Sequence, residues 1–153
     1  MLEKIYVGDL ESLVENKKVE GKQLKIGNEN FYKISNVDKM RPFFMSIVSN
    51  SNHWMFISST GSLSAGRKNS EFSLFAYYTD DKITESSDTT GSKTIITVKI
   101  NNKNFLWEPF SNRFKGAYKV SRNIYKNTIG NKVIFEEINH DLNIEFSYQW
   151  SSS

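Results

Sequence analysis

The decapeptide GSLSAGRKNS, Gly61 to Ser70, has the residue types of a phosphate-binding loop, with two glycines five positions apart followed by cationic side chains. A P-loop needs lysine directly after the second glycine, then serine or threonine for magnesium, between an apolar strand and a long helix. Here those two positions hold Arg67 and Lys68, and neither flanking pattern is present. The segment therefore indicates a tight turn between strands that presents polar groups, and not a nucleotide site.

Histidine and cysteine offer little chemistry in this chain. There is no cysteine, which excludes disulfides and thiolate-bound metals, and the two histidines lack metal-ligand spacing. His140 and Asp141 are sequence neighbours, so within a strand they would point to opposite faces, and the pattern favours a turn residue. No G-x-S-x-G elbow is present around a serine. We predict no catalytic residue, no metal and no cofactor for this segment.

Two pairs of carboxylates remain as candidates for acid–base chemistry. A glycosidase needs two carboxyl groups facing each other across a sugar, which adjacent residues cannot provide alone. For Glu136 and Glu137 the pattern favours a solvated strand end. Asp80 and Asp81 follow a run of aromatic residues and Thr79 in a loop, which places them better for ligand contact.

Aromatic side chains near polar groups are typical of sugar sites, because pyranose faces stack on rings while hydroxyls need hydrogen-bond partners. Large aromatic residues are also commonly core residues, and this alternative stays open for each of them. Tyr77, which precedes Tyr78 in the same aromatic run, is also a candidate for stacking on a sugar. The candidate ligand-binding residues are Arg67, Lys68, Asn69, Asp80, Asp81, Tyr78, Trp54 and Trp107.

Composition limits the class of protein. With 153 residues, 14% aromatic residues and two prolines, the chain is long and apolar enough for a single ordered domain. The net charge of +3 comes from dispersed lysines, which argues against a nucleic-acid partner. No apolar run is long enough for a signal peptide or a membrane span, so we predict no membrane partner and favour the cytoplasm, with localisation otherwise unknown.

Most of the chain follows the period-two pattern of strands that bury one face. The clearest example has Leu142, Ile144, Phe146, Tyr148 and Trp150 alternating with polar residues. Three hairpins are predicted, in RPFFMSIVS with HWMFISS, in the segment from Thr94 to Trp107, which Pro109 ends, and in the strands flanking Gly130. Only GDLESLVENKK favours a helix, with Asp9 as its N-cap. The prediction is one all-β, mainly antiparallel domain over residues 1–153, a two-sheet β-sandwich of the super-sandwich type with at most one or two short helices.

A family resemblance enters through four segments: HWMFISSTGSLSAGRKNSEFSLFAYYTDDKI, TGSKTI, WEPF and RNIYKNTIGNKVIFEEINHDLNIEFSYQW. Together they resemble the N-terminal β-sandwich of cellobiose phosphorylase-type glycoside phosphorylases and their hydrolase-like relatives. The resemblance covers roughly residues 41–150 and assigns nothing to residues 1–40.

The resemblance implies that the chain is the N-terminal fragment of a longer enzyme, and that the catalytic residues lie in an (α/α)6 barrel that follows it. The sandwich would then be non-catalytic, would pack on that barrel, could form a homodimer, and could lend GSLSAGRKN and YYTDD to a carbohydrate site. Two alternatives stay open, a free-standing carbohydrate-binding module and a small-ligand β-barrel. The sequence leaves open which sugar is bound and whether the parent enzyme is phosphorolytic, hydrolytic or inactive.

Overall fold

The computed structural model describes residues 3–8, 17–73, 87–89 and 93–152. Within these ranges the predicted all-β, mainly antiparallel class is confirmed. The predicted helix falls largely on residues 9–16, outside the described ranges. The strands are β1 (Ile5–Tyr6), β2 (Glu20–Ile26), β3 (Glu29–Ser35), β4 (Phe44–Ile47), β5 (His53–Ser58), β6 (Leu63–Arg67), β7 (Ile96–Ile100), β8 (Lys103–Trp107), β9 (Val120–Asn127), β10 (Lys132–Asn139) and β11 (Ile144–Ser151); 3-10 turns occupy Val37–Lys39 and Ser70–Phe72.

The largest sheet has five strands in the order β11-β10-β9-β3-β2 and is antiparallel throughout. The predicted hairpin around Gly130 is β9–β10, and the alternating C-terminal segment is β11. The β2–β3 hairpin lies among the first forty residues, for which no strand was predicted. Its two-residue turn joins Ile26 to Glu29 and begins with Gly27 at φ +57°, a conformation that favours glycine.

Two three-stranded sheets complete the described fold, in the orders β4-β5-β6 and β1-β8-β7. The predicted hairpins β4–β5 and β7–β8 are both present. Asn101 and Asn102, both with positive φ, form the turn between β7 and β8, because asparagine tolerates the left-handed region. β8 ends at Trp107, two residues before Pro109, as predicted.

Both small sheets pack on one face of the five-stranded sheet, here called the inner face, which carries Val133, Phe135, Glu137 and Asn139 of β10. One core cluster joins this face to β4-β5-β6, and the second joins it to β7 and β8. Phe146 packs against both clusters. The molecule is thus a sandwich of two layers, in which the second layer consists of two small sheets side by side. The alternating residues of β11 face inward as predicted, and Leu142 is buried in the turn before that strand.

In the described ranges, no helix is long and apolar enough to cross a membrane.

Candidate functional site

The glycine-bounded segment begins in the turn between β5 and β6 and continues through β6. Gly61 has φ +92°, and the Ser58 backbone N–H donates to the Ser62 carbonyl over 2.8 Å. Gly66 has a different role within β6, because a Cβ atom there would lie 2.4 Å from the Trp54 ring. The first glycine therefore permits the turn, and the second permits close approach of an indole.

Arg67, Lys68 and Asn69 are exposed where β6 ends. Lys68 has φ +64°, and its backbone N–H donates to the Asn52 carbonyl over 2.7 Å. The Asn69 side chain accepts from the Glu71 backbone N–H over 3.2 Å and caps the following 3-10 turn. This predicted part of the site lies on the surface, where the Lys68 ammonium is 5.8 Å from the centroid of the Phe72 ring.

Trp54 and Arg67 do not converge on one ligand. Trp54 is the register partner of Gly66, and His53 is the register partner of Arg67. Because successive residues of a strand point to opposite faces, the indole and the guanidinium lie on opposite sides of the β4-β5-β6 sheet. Trp54 is half-buried and its ring contacts that of Phe56, with 5.9 Å between centroids.

Trp107 must be removed from the ligand-binding set. Only 2% of its surface is exposed, and its indole Nε1–H donates to Glu137 Oε1 over 3.0 Å. The ring packs in the second core cluster, so it offers no face on which a sugar could stack. The core alternative considered for this residue is the correct one.

Three members of the predicted set, Tyr78, Asp80 and Asp81, lie outside the described residues, as does Tyr77. Their proposed proximity to Arg67 therefore stays a prediction.

A cleft of about 990 Å³ lies over the inner face. The segment 106–120 forms one wall, residues 37–42 and 59–60 form the other, and Arg122, Phe135 and Glu137 lie at the floor. Its charged lining residues have both signs; they are Lys17, Lys39, Lys115, Lys119, Arg122, Asp38, Glu108, Glu137 and Asp141.

Glu137 organises the floor of this cleft. The residue is 1% exposed, and its Oε2 accepts from the Phe110 backbone N–H over 2.9 Å and from Arg122 Nε over 2.6 Å. With the Trp107 indole on Oε1, the carboxylate has three donors. Phe110 has φ +62°, so the hydrogen bond to Glu137 helps hold a backbone conformation that phenylalanine rarely adopts.

Arg122 connects the same carboxylate to the wall. One terminal nitrogen donates to the Ser111 carbonyl over 2.8 Å and the other to Asn112 Oδ1 over 3.0 Å. The guanidinium is thus fixed at both ends, and its planar fork positions the Trp107 to Asn112 segment against the five-stranded sheet.

A second polar network supports the same wall. Glu108 accepts from Arg113 and pairs with Lys93 at 2.8 Å, while Asp88 accepts from Lys93, Ser111 and the Asn112 backbone N–H. Burial acts to raise the pKa of Asp88, but the hydrogen bonds from Lys93, Asn112 and Ser111 outweigh it and lower the pKa to about 2. Burial also opposes ionisation of Glu108, yet Lys93 and Arg113 hold its pKa below the usual value. Both carboxylates are stabilised in their charged form.

The prediction that Glu136 and Glu137 form a solvated strand end was wrong. Glu136 is half-buried and accepts from Asn123 and from the Tyr125 hydroxyl, and Glu137 is fully buried. The signal was present in the alternation of VIFEEIN, which places Glu137 on the same face as Val133 and Phe135. A carboxylate in an apolar face requires internal donors, and these come from distant residues.

Ser121 and His140 form a contact that the sequence did not reveal. Ser121 Oγ lies 2.8 Å from His140 Nε2, and Lys17 Nζ donates to the same oxygen over 3.1 Å. Ser121 lies between Val120 and Arg122, which face inward, so its hydroxyl points away from the cleft floor. His140 is in a turn, as predicted. No group of three or more metal-ligating side chains occurs among the described residues.

No protein-family model matches this sequence, and no curated protein does.

Proposed function

We propose that this chain is the non-catalytic β-sandwich domain of a carbohydrate-active enzyme of the glycoside phosphorylase or hydrolase-like type. In the intact protein it packs on an (α/α)6 catalytic barrel and contributes polar groups to the sugar-binding region. The segments that resemble such domains support the proposal, and so does the all-β sandwich they imply.

The observation that carries the proposal is the state of the carboxylates in and beside the cleft. Glycoside cleavage requires a general acid whose pKa is raised. The pKa values of Asp88 and Glu108 are instead lowered, and Glu137 is occupied by three donors. These groups support a polar wall suited to positioning a partner, and Asp88 and Glu108 are unsuited to donating a proton.

The rim of the cleft has the groups that a sugar or a neighbouring domain would contact. Lys115 and Lys119 are exposed on the wall, and Asn112 is exposed beside Arg122. The half-buried Phe114 ring lies 5.5 Å from the Arg113 guanidinium carbon. The lysine and asparagine donors on this rim could bind sugar hydroxyls or the backbone carbonyls of a neighbouring domain, and the Phe114 ring offers an apolar surface beside them.

The test is hydrogen–deuterium exchange of this chain alone and of the continuous protein encoded by its gene. We expect the reading frame to continue into a helix-rich barrel, and we expect amides of segments 37–42 and 106–120 to exchange more slowly when that barrel is attached. A reading frame without such a barrel, or unchanged exchange at both walls, would contradict the proposal.

A second candidate function is a free-standing carbohydrate-binding module. The cleft of about 990 Å³ favours it, because a single chain then already contains a concavity of the size that small-molecule sites occupy. Calorimetric titration of the isolated chain with cellotetraose separates the two. Binding that Lys115→Ala weakens in the isolated chain favours the module, whereas binding that needs the attached barrel favours the domain.

A further inference from the structure

Tyr32 is exposed on a face of the sandwich that elsewhere forms the core. It lies on β3 two residues before Ile34, which packs in the first cluster on the inner face. Its register partners are Gln23 on β2 and Lys126 on β9. The ring is nonetheless 48% exposed, so the described part of the second layer leaves it open to solvent.

The position of the Tyr32 ring is defined by a glycine on the neighbouring strand. A Cβ atom on Gly21 would lie 2.1 Å from the Tyr32 hydroxyl oxygen and 2.8 Å from the carbon that bears it. The phenol end therefore occupies the space of the absent side chain. One side of the ring rests on the β2 backbone while much of the rest is open to solvent, an arrangement that holds an aromatic surface in place.

The side chains around this ring are polar or cationic. On the inner face of the hairpin, Gln23, Lys25 and Asn30 are exposed, and they alternate with residues of the opposite face. The hairpin glutamates Glu20 and Glu29 have the other parity and point to the other side of the sheet. The open inner face of the hairpin thus combines an aromatic ring with positive charge.

Lys126 lies at the edge of this exposed hairpin face, on the side nearest the second layer. Its Nζ donates to the Ser46 carbonyl over 2.7 Å and to the Gly130 carbonyl over 3.3 Å. No carboxylate of the described residues forms an ion pair with it, and burial lowers its pKa. Because Ser46 belongs to β4, the Lys126 ammonium lies at the boundary between the exposed hairpin and the second layer.

We infer that Tyr32, with Lys126, Lys25 and Gln23, forms a binding surface for an acidic pyranoside such as a hexuronate residue. The pyranose C–H face stacks on the exposed ring, the sugar carboxylate lies toward the ammonium groups, and the Gln23 amide hydrogen-bonds a hydroxyl. The inference rests on the proposed function for the class of ligand only, and the surface is separate from the cleft.

The experiment is calorimetric titration of the full chain with trigalacturonate and with neutral cellotetraose. We expect trigalacturonate to bind more tightly, and its affinity to fall with added salt because the ammonium contacts are screened. Tyr32→Ala should weaken trigalacturonate binding about tenfold, while Tyr32→Phe should keep it because the stacking surface remains. Lys25→Gln should reduce the preference for the acidic glycan.

Two further variants distinguish loss of the Tyr32 binding surface from general effects on the fold. Gly21→Ala should weaken binding although Tyr32 is retained, because the new methyl group occupies the space of the Tyr32 hydroxyl and displaces the side chain. Tyr6→Ala is the matched control, because Tyr6 is exposed (40%) like Tyr32 but lies on β1, with the Lys103 ammonium 5.5 Å from its ring centroid. This substitution should leave the affinity for trigalacturonate unchanged. Circular dichroism confirms that each variant is folded.

Binding of trigalacturonate that survives Tyr32→Ala in folded protein would overturn the inference. Equal affinity for both glycans would overturn its assignment to an acidic sugar. Absence of binding to either glycan would also overturn it, yet would leave the domain proposal intact, because that proposal is tested by hydrogen exchange at the cleft walls.

Discussion

Arg122 and Glu137 are register partners on β9 and β10, and their side chains pair across the ladder with 2.6 Å between Nε and Oε2. Both side chains lie on the inner face, where 17% and 2% of their surfaces are accessible. Through Glu137 and Arg122, β9 and β10 hold the Trp107 to Asn112 segment that forms one wall of the cleft. The pair is therefore the link between the sandwich core and the candidate site.

Glu137→Gln should lower the free energy of unfolding by about 3–5 kcal/mol, because it leaves the Arg122 guanidinium buried without its counter-charge. Urea unfolding measures the change. Glu145→Gln, at an exposed position of β11, is the matched control and should cost no more than about 0.5 kcal/mol. Equal effects of the two substitutions would contradict the structural role of Glu137.

Stability should fall in acid through Asp88. The pKa of this carboxyl is lowered in the folded state from 3.8 to about 2, so its contribution is complete above pH 3.8 and is lost as the pH falls toward 2. The difference in unfolding free energy between wild type and Asp88→Asn should therefore be constant from neutral pH down to about 5, and should shrink below 4. A difference that is independent of pH over that range would show that Asp88 is not held ionised by Lys93, Ser111 and Asn112.

Phe146→Ala should destabilise the fold by about 3 kcal/mol, the low end for phenylalanine because the ring is half-buried. The ring packs against both core clusters and lies 6.3 Å from the Phe110 centroid. Ser147→Ala, on the exposed face of the same strand, should change stability by no more than about 0.5 kcal/mol. Thermal unfolding measures both variants. A larger loss of stability in Ser147→Ala than in Phe146→Ala would contradict the assignment of Phe146 to the inner face.

Arg67→Ala should leave the melting temperature of this chain nearly unchanged, because Arg67 is exposed at the end of β6. In the longer protein proposed above, the same substitution should reduce activity or domain association if the exposed end of β6 contacts a ligand or the proposed barrel. Lys18→Ala, at another exposed lysine position, controls for loss of surface charge. Unchanged activity together with unchanged association would leave Arg67 as a solubilising residue and contradict its assignment to the site.

The fold was accessible from the sequence because strand alternation is a local signal. The period of two in β11 and the turns at Gly130 and Asn101 identified strands without knowledge of their partners. The β2–β3 hairpin was missed although Gly27-Asn28 is a recognised two-residue turn, because most residues of β2 are exposed on both faces and show little alternation.

The candidate site was less accessible because its geometry depends on distant pairs. Glu137 meets Trp107 only through the packing of β8 on β10, so Trp107 was read as a possible stacking residue and Glu137 as a surface residue. The opposition of Trp54 and Arg67 follows from strand register, which pairs His53 with Arg67 and is set by the length of the turn at Gly61. Likewise, Tyr32 gains its position from Gly21 on another strand.

The most direct test of the central claim is an activity assay of the purified chain on cellobiose and on an aryl glucoside, with and without inorganic phosphate. The account predicts no release of glucose, glucose phosphate or aglycone above the buffer control, because internal partners hold Asp88 and Glu108 in their charged form and Glu137 already accepts from three internal donors. Turnover that disappears in folded Glu108→Gln or Ser121→Ala protein would contradict it and would make this chain an enzyme in its own right.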